Sequence, residues 1–237
     1  MTDLILPDPR MEMPELFEPG RKPTGPVAID WSQTPGGALG FFALAGNDKS
    51  RLVNLVSGEI LDPLTSGNEY STDYGQQNIR VGTSGGYLLD RFIGADDYTV
   101  IGVVRLPADG SAYRNFFRCS TIEAQHHLLI DPSGFIGVYK AGLYTSGFDT
   151  SALTPGIYTV VAVGRLATNQ TKIFINGVHV GTAGRAMTIP ISDVFAGDNG
   201  IQGINTNCYA AGIFDDALSD VEASSLSRNP YQFLIPA

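Results

Sequence analysis

The sequence predicts an all-β fold, a two-sheet antiparallel β-sandwich with one short C-terminal helix and an extended N-terminal arm. Three observations carry it. Ile157 to Leu166 (IYTVVAVGRL) is a run rich in β-branched residues and apolar on both alternating faces, as in a strand covered on both sides. Lys172 to Ile175 and Val178 to Thr182 flank Asn176-Gly177, a pair that tolerates the positive φ of a type I′ hairpin turn. Ser219-Asp220-Val221-Glu222 has the form of a capping box, and Asn229-Pro230 ends the helix it opens.

In chain order, residues 1 to 26 hold six of the fourteen prolines, at Pro7, Pro9, Pro14, Pro19, Pro23 and Pro26, a spacing that blocks helix and sheet ladders. Leu4, Ile5, Leu6, Met11, Met13, Leu16 and Phe17 are spread between them. A plain linker has no need of these side chains, so the segment is expected to bind a neighbouring subunit through them, or else to wrap its own domain. The domain proper is expected over residues 27 to 237. Strand patterns follow at Leu39 to Ala45, Ile79 to Val81, Tyr87 to Asp90, Tyr98 to Leu106, Asn115 to Ser120, His126 to Asp131 and Phe135 to Tyr139, and later at Cys208 to Phe214. Asp131-Pro132-Ser133-Gly134 predicts a second hairpin through a type I turn. Asn47 to Gly86, polar and glycine-rich, is expected to carry the longest loops. Alternating βα units are absent, which excludes a doubly wound parallel sheet.

Composition narrows the function. The 237 residues suit one large all-β domain, and 43% hydrophobic residues with 28 glycines describe a turn-rich globular protein. A net charge of −9, with 15 Lys and Arg scattered along the chain, argues against nucleic acid and against an anionic membrane surface. The first residues lack a basic n-region and a long apolar core, and the chain has no bilayer-length apolar run, so synthesis in the cytoplasm is expected. Cys119 and Cys208 are then expected as buried thiols, with a disulfide as the alternative.

The order of these elements resembles the laminin-G-like, or concanavalin A-like, jelly-roll family. The matching residues are Lys172-Ile173-Phe174-Ile175-Asn176-Gly177-Val178, and Phe214-Asp215-Asp216-Ala217-Leu218-Ser219-Asp220-Val221-Glu222 with Leu226. Asp216 stands where that family usually has arginine, which puts that arginine's bracing of the helix in doubt. The two ends resemble jelly-roll virion proteins of tailed bacteriophages, through Gly25-Pro26-Val27-Ala28-Ile29-Asp30-Trp31 and Asn229-Pro230-Tyr231-Gln232-Phe233. The resemblance implies a non-enzymatic structural protein of a phage virion, foremost a capsid decoration protein held through its arm. Other capsid or tail subunits would then be its partners, with self-association. The alternative is a glycan-binding adhesion module of a tail or fibre, with host surface polysaccharide as partner.

Sugar-cleaving relatives of this fold carry paired carboxylates on one strand, and no such pattern occurs here. Asp96-Asp97 and Asp215-Asp216 are adjacent and read as solvated loop residues. His126 and His127 are neighbours that a strand sends to opposite faces, so they cannot share a metal without a distortion such as a bulge, and no nucleophile-elbow motif marks a serine. No catalytic residue is assigned. For glycans the candidates are Tyr144, Asn205 and Asn207, with Tyr70, Tyr74 and Tyr113 as further loop-like aromatics. No cofactor is expected. Calcium is the alternative considered, through the oxygens of Asp193, Asp198, Asn199, Asn205 and Asn207.

Overall fold

The computed structural model describes residues 27–30, 38–45, 48–61, 68–73, 76–81, 87–93, 97–108, 112–120, 125–188, 191–195 and 203–236. The expected arm, with Leu4, Ile5, Leu6, Met11, Met13, Leu16 and Phe17, lies outside them, as do Trp31, Tyr74, Asp96, Asp198 and Asn199.

The chain forms an antiparallel β-sandwich. Its strands are β1 (Val27–Ile29), β2 (Ala38–Ala45), β3 (Asp48–Asn54), β4 (Ile60–Leu61), β5 (Asn68–Asp73), β6 (Gln76–Val81), β7 (Tyr87–Ile93), β8 (Tyr98–Leu106) and β9 (Arg114–Ser120). They continue as β10 (Gln125–Ile130), β11 (Phe135–Lys140), β12 (Leu143–Asp149), β13 (Gly156–Arg165), β14 (Gln170–Ile175), β15 (Val178–Ala183), β16 (Ile191–Val194) and β17 (Thr206–Phe214). Helix α1 (Asp220–Arg228) and β18 (Leu234–Pro236) close the chain. A ten-stranded sheet has the path β15-β14-β13-β8-β17-β2-β3-β4, with β5 and β6 branching from β17. A six-stranded sheet has the order β12-β11-β10-β9-β16-β7.

Strand β13 shows why the larger sheet is apolar on both sides. Val160 and Ala162 point into the core between the sheets, with Val100, Val104, Ile173 and Ile213 from the same sheet and Phe116, Leu128, Ile136 and Val138 from the other. Val161 and Val163 point outward into a second apolar layer made with Ile101, Val103, Phe174, Leu218, Leu226 and Phe233. The sequence predicts the double covering of β13 but not what covers it: α1, the turn after it and the short β1–β18 ribbon.

Local chemistry fixes these elements where it was legible. Asn176 and Gly177 both have positive φ, at 47° and 87°, and the Asn176 side chain also accepts from the Thr159 amide at 2.9 Å. At the second hairpin the Asp131 carboxylate accepts from the Ser133 and Phe135 amides, each at 2.9 Å, and Gly134 takes φ 95°. The capping box at Ser219 and Glu222 is complete. With Asp216 in the usual arginine position, Arg165 supplies the brace: its guanidinium donates to the Ala217 and Leu218 carbonyls at 3.3 and 3.1 Å. Asp97 is no idle loop residue, since its carboxylate accepts from the Leu166 amide at 2.7 Å.

Two expectations need correction. Asn47 to Gly86 carries β3 to β6 and not only loops, and Tyr144 and Tyr70 lie on strands β12 and β5. In sequences such as NEYSTD the hydrogen-bonding partner decides the strand, because no apolar alternation announces it. Cys208 is a free, buried thiol, and burial pushes its pKa up.

Candidate functional site

Strand β10 sends two adjacent imidazoles to two different places. Directly opposite residues of an antiparallel pair share a face. His127 stands opposite Tyr139 of β11 on one side and Arg118 of β9 on the other, on the outer face of the six-stranded sheet. The His127 and Tyr139 rings lie 5.9 Å apart, tilted by 59°. Arg118 is in turn in register with Asp193 of β16. The result is a row of aromatic, imidazole and guanidinium groups across three strands, with Tyr139 and Arg118 half-buried and His127 between them buried. The outer face of the ten-stranded sheet, by contrast, is closed by α1 and the β1–β18 ribbon.

His126 points the other way, to the mouth of the sandwich. It stands opposite Lys140, and its Nδ1 accepts from the Thr188 amide at 3.0 Å. Thr188 ends a four-residue strap that crosses from one sheet to the other. Along it, the Arg185 carbonyl accepts from Thr171 Oγ1 at 2.8 Å, Ala186 N–H donates to Asn169 Oδ1 at 3.2 Å, and Met187 N–H donates to the Tyr98 hydroxyl at 3.1 Å. So held, the Arg185 guanidinium lies 4.1 Å above the centre of the Tyr144 ring.

The electrostatics of the mouth are those of crowded cations. Burial and the Arg185 charge lower the Lys140 pKa, and burial and the Lys140 charge hold His126 below the ordinary imidazole value. The unfolded chain therefore binds more protons than the native one just below the ordinary imidazole pKa of about 6.5. Stability is complete above that value and is lost as pH falls towards the lowered native pKa. Calorimetric melting from pH 7.5 to 5 should show the loss. The charged groups placed against the imidazole are Lys140 and, beyond it, Arg185. His126→Gln, whose amide oxygen accepts from Thr188 at any pH, should give a flatter profile, and an equally steep one would sink this assignment.

Of the sequence-nominated glycan residues, Tyr144 belongs to the mouth. Asn205 lies half-buried with φ 52° just before β17, and Asn207 is buried on β17 opposite Arg80 of β6. Strand β12 abuts β15, and β17 is four places from β15 in the larger sheet, so at ~4.8 Å per strand roughly 19 Å separates Tyr144 from the two asparagines. The structure does not bring them together. Among the described residues no group of three His, Cys, Asp or Glu side chains is placed to hold a metal. A third feature is a shallow cleft of about 470 Å³ between α1 and the β14–β15 hairpin, edged by His179, Asp220, Val221 and Arg228.

No protein-family model matches the chain, and no curated protein matches it. Solved structures do. The CBM40 of Ruminococcus gnavus IT-sialidase superposes with a TM-score of 0.51 at 16% identity, over 64% of this chain and 97% of that one. The same module bound to α2,3-sialyllactose gives 0.50 at 16% identity, over 67% and 98%. Trypanosoma rangeli sialidase in complex with the inhibitor DANA gives 0.60 at 13% identity, over 81% of this chain but 33% of that much longer one. At these identities the likeness is one of fold: the chain is a jelly-roll, concanavalin-like β-sandwich, about two thirds of which superposes on nearly the whole of a carbohydrate-binding module.

Proposed function

We propose that this domain is a non-catalytic glycan-binding module, carried on the tail or fibre of a tailed phage and directed at host surface polysaccharide. The observation that carries the reading is the match to nearly the whole of a carbohydrate-binding module, on a chain whose six-stranded sheet sets half-buried Tyr139 and Arg118 on either side of the buried His127. A ring such as that of Tyr139 can take the apolar face of a sugar while the Arg118 guanidinium bonds its hydroxyls or carboxylate. Only about a third of the trypanosome sialidase is matched, so its activity is not carried over. The phage setting rests on the resemblance of the two chain ends.

Titration calorimetry with α2,3-sialyllactose, lactose and isolated host polysaccharide tests the reading. At least one should bind without turnover, and Tyr139→Ala or Arg118→Gln should weaken binding by about tenfold or more, the scale of one stacking or charge-assisted contact. Silence towards all three sugars, with binding to phage particles that depends on residues 1 to 26, would instead support capsid decoration. That second reading is favoured by one feature, the apolar side chains set among the prolines of the arm.

A further inference from the structure

The geometry points to an oxyanion-binding site at the sandwich mouth, formed by Arg185, Lys140 and Tyr144, that takes the sulfate ester or carboxylate of an acidic polysaccharide. It is separate from the sheet-face row, because alternation along β10 puts His126 and His127 on opposite sides of the six-stranded sheet.

Charge is the first argument. The chain has 24 Asp and Glu against 15 Lys and Arg, yet among the described residues no carboxylate pairs with Lys140 or Arg185. Two like charges close enough to perturb each other are unfavourable until an anion bridges them. Unused donors are the second argument. Arg185 donates Nη1 to the Gly184 carbonyl at 2.9 Å, which leaves most of its fork unengaged, and among the described residues the Lys140 ammonium has no hydrogen-bond partner. Preorganisation is the third. A hydrogen bond donated by Thr171 and three accepted by Asn169, Tyr98 and His126 fix four consecutive strap residues, so the guanidinium is held over the Tyr144 ring before any ligand arrives. A ring beside two cations suits a charged sugar better than a free ion. The net charge of −9 does not forbid this, because screening at physiological salt confines the repulsion of distant carboxylates to about 8 Å.

The test is calorimetric titration of the full chain with dextran sulfate, neutral dextran of equal length, and sodium sulfate against sodium chloride at matched ionic strength. Dextran sulfate should bind and neutral dextran should not. Lys140→Gln with Arg185→Gln should weaken the binding at least about tenfold, whereas Val221→Ala, exposed on α1 and outside both sites, should leave it unchanged. Lys140→Gln alone removes no hydrogen bond of the fold, so its own loss of affinity with unchanged melting decides the matter if the double variant folds poorly. Equal affinity in wild type and variants overturns the proposal. So does binding of inorganic sulfate alone, which would make the mouth a free-ion site.

Discussion

Replacing Gly164 by alanine should cost about 1 to 3 kcal/mol of stability. The Tyr98 ring lies directly against this residue of β13, and a Cβ built there falls onto the ring carbons Cε1 and Cζ. Elsewhere the far end of a side chain would swing aside. Here it is fastened: the Tyr98 hydroxyl is within 2.9 Å of Thr171 Oγ1 and accepts from the Met187 amide. Either the ring stays and the core is overpacked, about 1 to 3 kcal/mol, or it moves and buried polar groups lose partners, about 1 to 3 kcal/mol. Urea unfolding of Gly164→Ala, of Tyr98→Leu and of the pair would measure this. If the clash is the cause, the double variant is less destabilised than the sum of the two. Additive effects would place the cost elsewhere. Because Met187 belongs to the strap, Gly164→Ala should also weaken binding at the mouth.

Phe233→Ala should cost about 3 to 5 kcal/mol, the range for emptying a buried phenyl site. Phe233 is 1% exposed and meets Phe41 edge-on at 4.8 Å, and Tyr231 also meets Phe41 edge-on at 6.2 Å. The three rings cover the outer face of the ten-stranded sheet beside α1. Strand β18 follows at once and holds β1 in the register Ile29 to Leu234, and the Phe233 carbonyl accepts from Asp30 N–H at 2.8 Å. Val221→Ala, 79% exposed on α1, is the control and should change stability by less than about 0.5 kcal/mol. A Phe233→Ala cost as small as the control's would mean that the outer layer melts apart from the sandwich.

The same residues explain what the sequence disclosed. Strands β8, β13 and β17 are legible because both faces are apolar, and the Asn176-Gly177 turn and the Ser219 box because their chemistry is local. Strands β5 and β12 are not, since Glu69, Ser71, Thr145 and Gly147 become strand only when β6 and β11 supply partners. The two end motifs looked like separate hints and are one object, because β1 pairs with β18. Of the mouth, only Tyr144 was nominated. His126, Lys140 and Arg185 are far from one another in sequence, and the overall negative charge conceals a local positive cluster. The row of Tyr139, Arg118 and His127 was half in view: alternation separated the two histidines, but only the register of β9, β10 and β11 says which neighbours each one meets.

The β1–β18 ribbon also gives the domain a direction. The chain comes in at Val27 and goes out at Pro236 side by side, on the helix-bearing side of the ten-stranded sheet. With about 10 Å between stacked layers, the Tyr139 row sits roughly 20 Å away on the far side of the molecule. Anything joined before Val27 or after Pro236 therefore pulls from the back, like two leads soldered to one side of a sensor, and the six-stranded sheet is turned outward. A domain wired in this way can be spliced into a surface loop of another protein without stretching either junction, and wherever it is grafted it shows the same face to its surroundings.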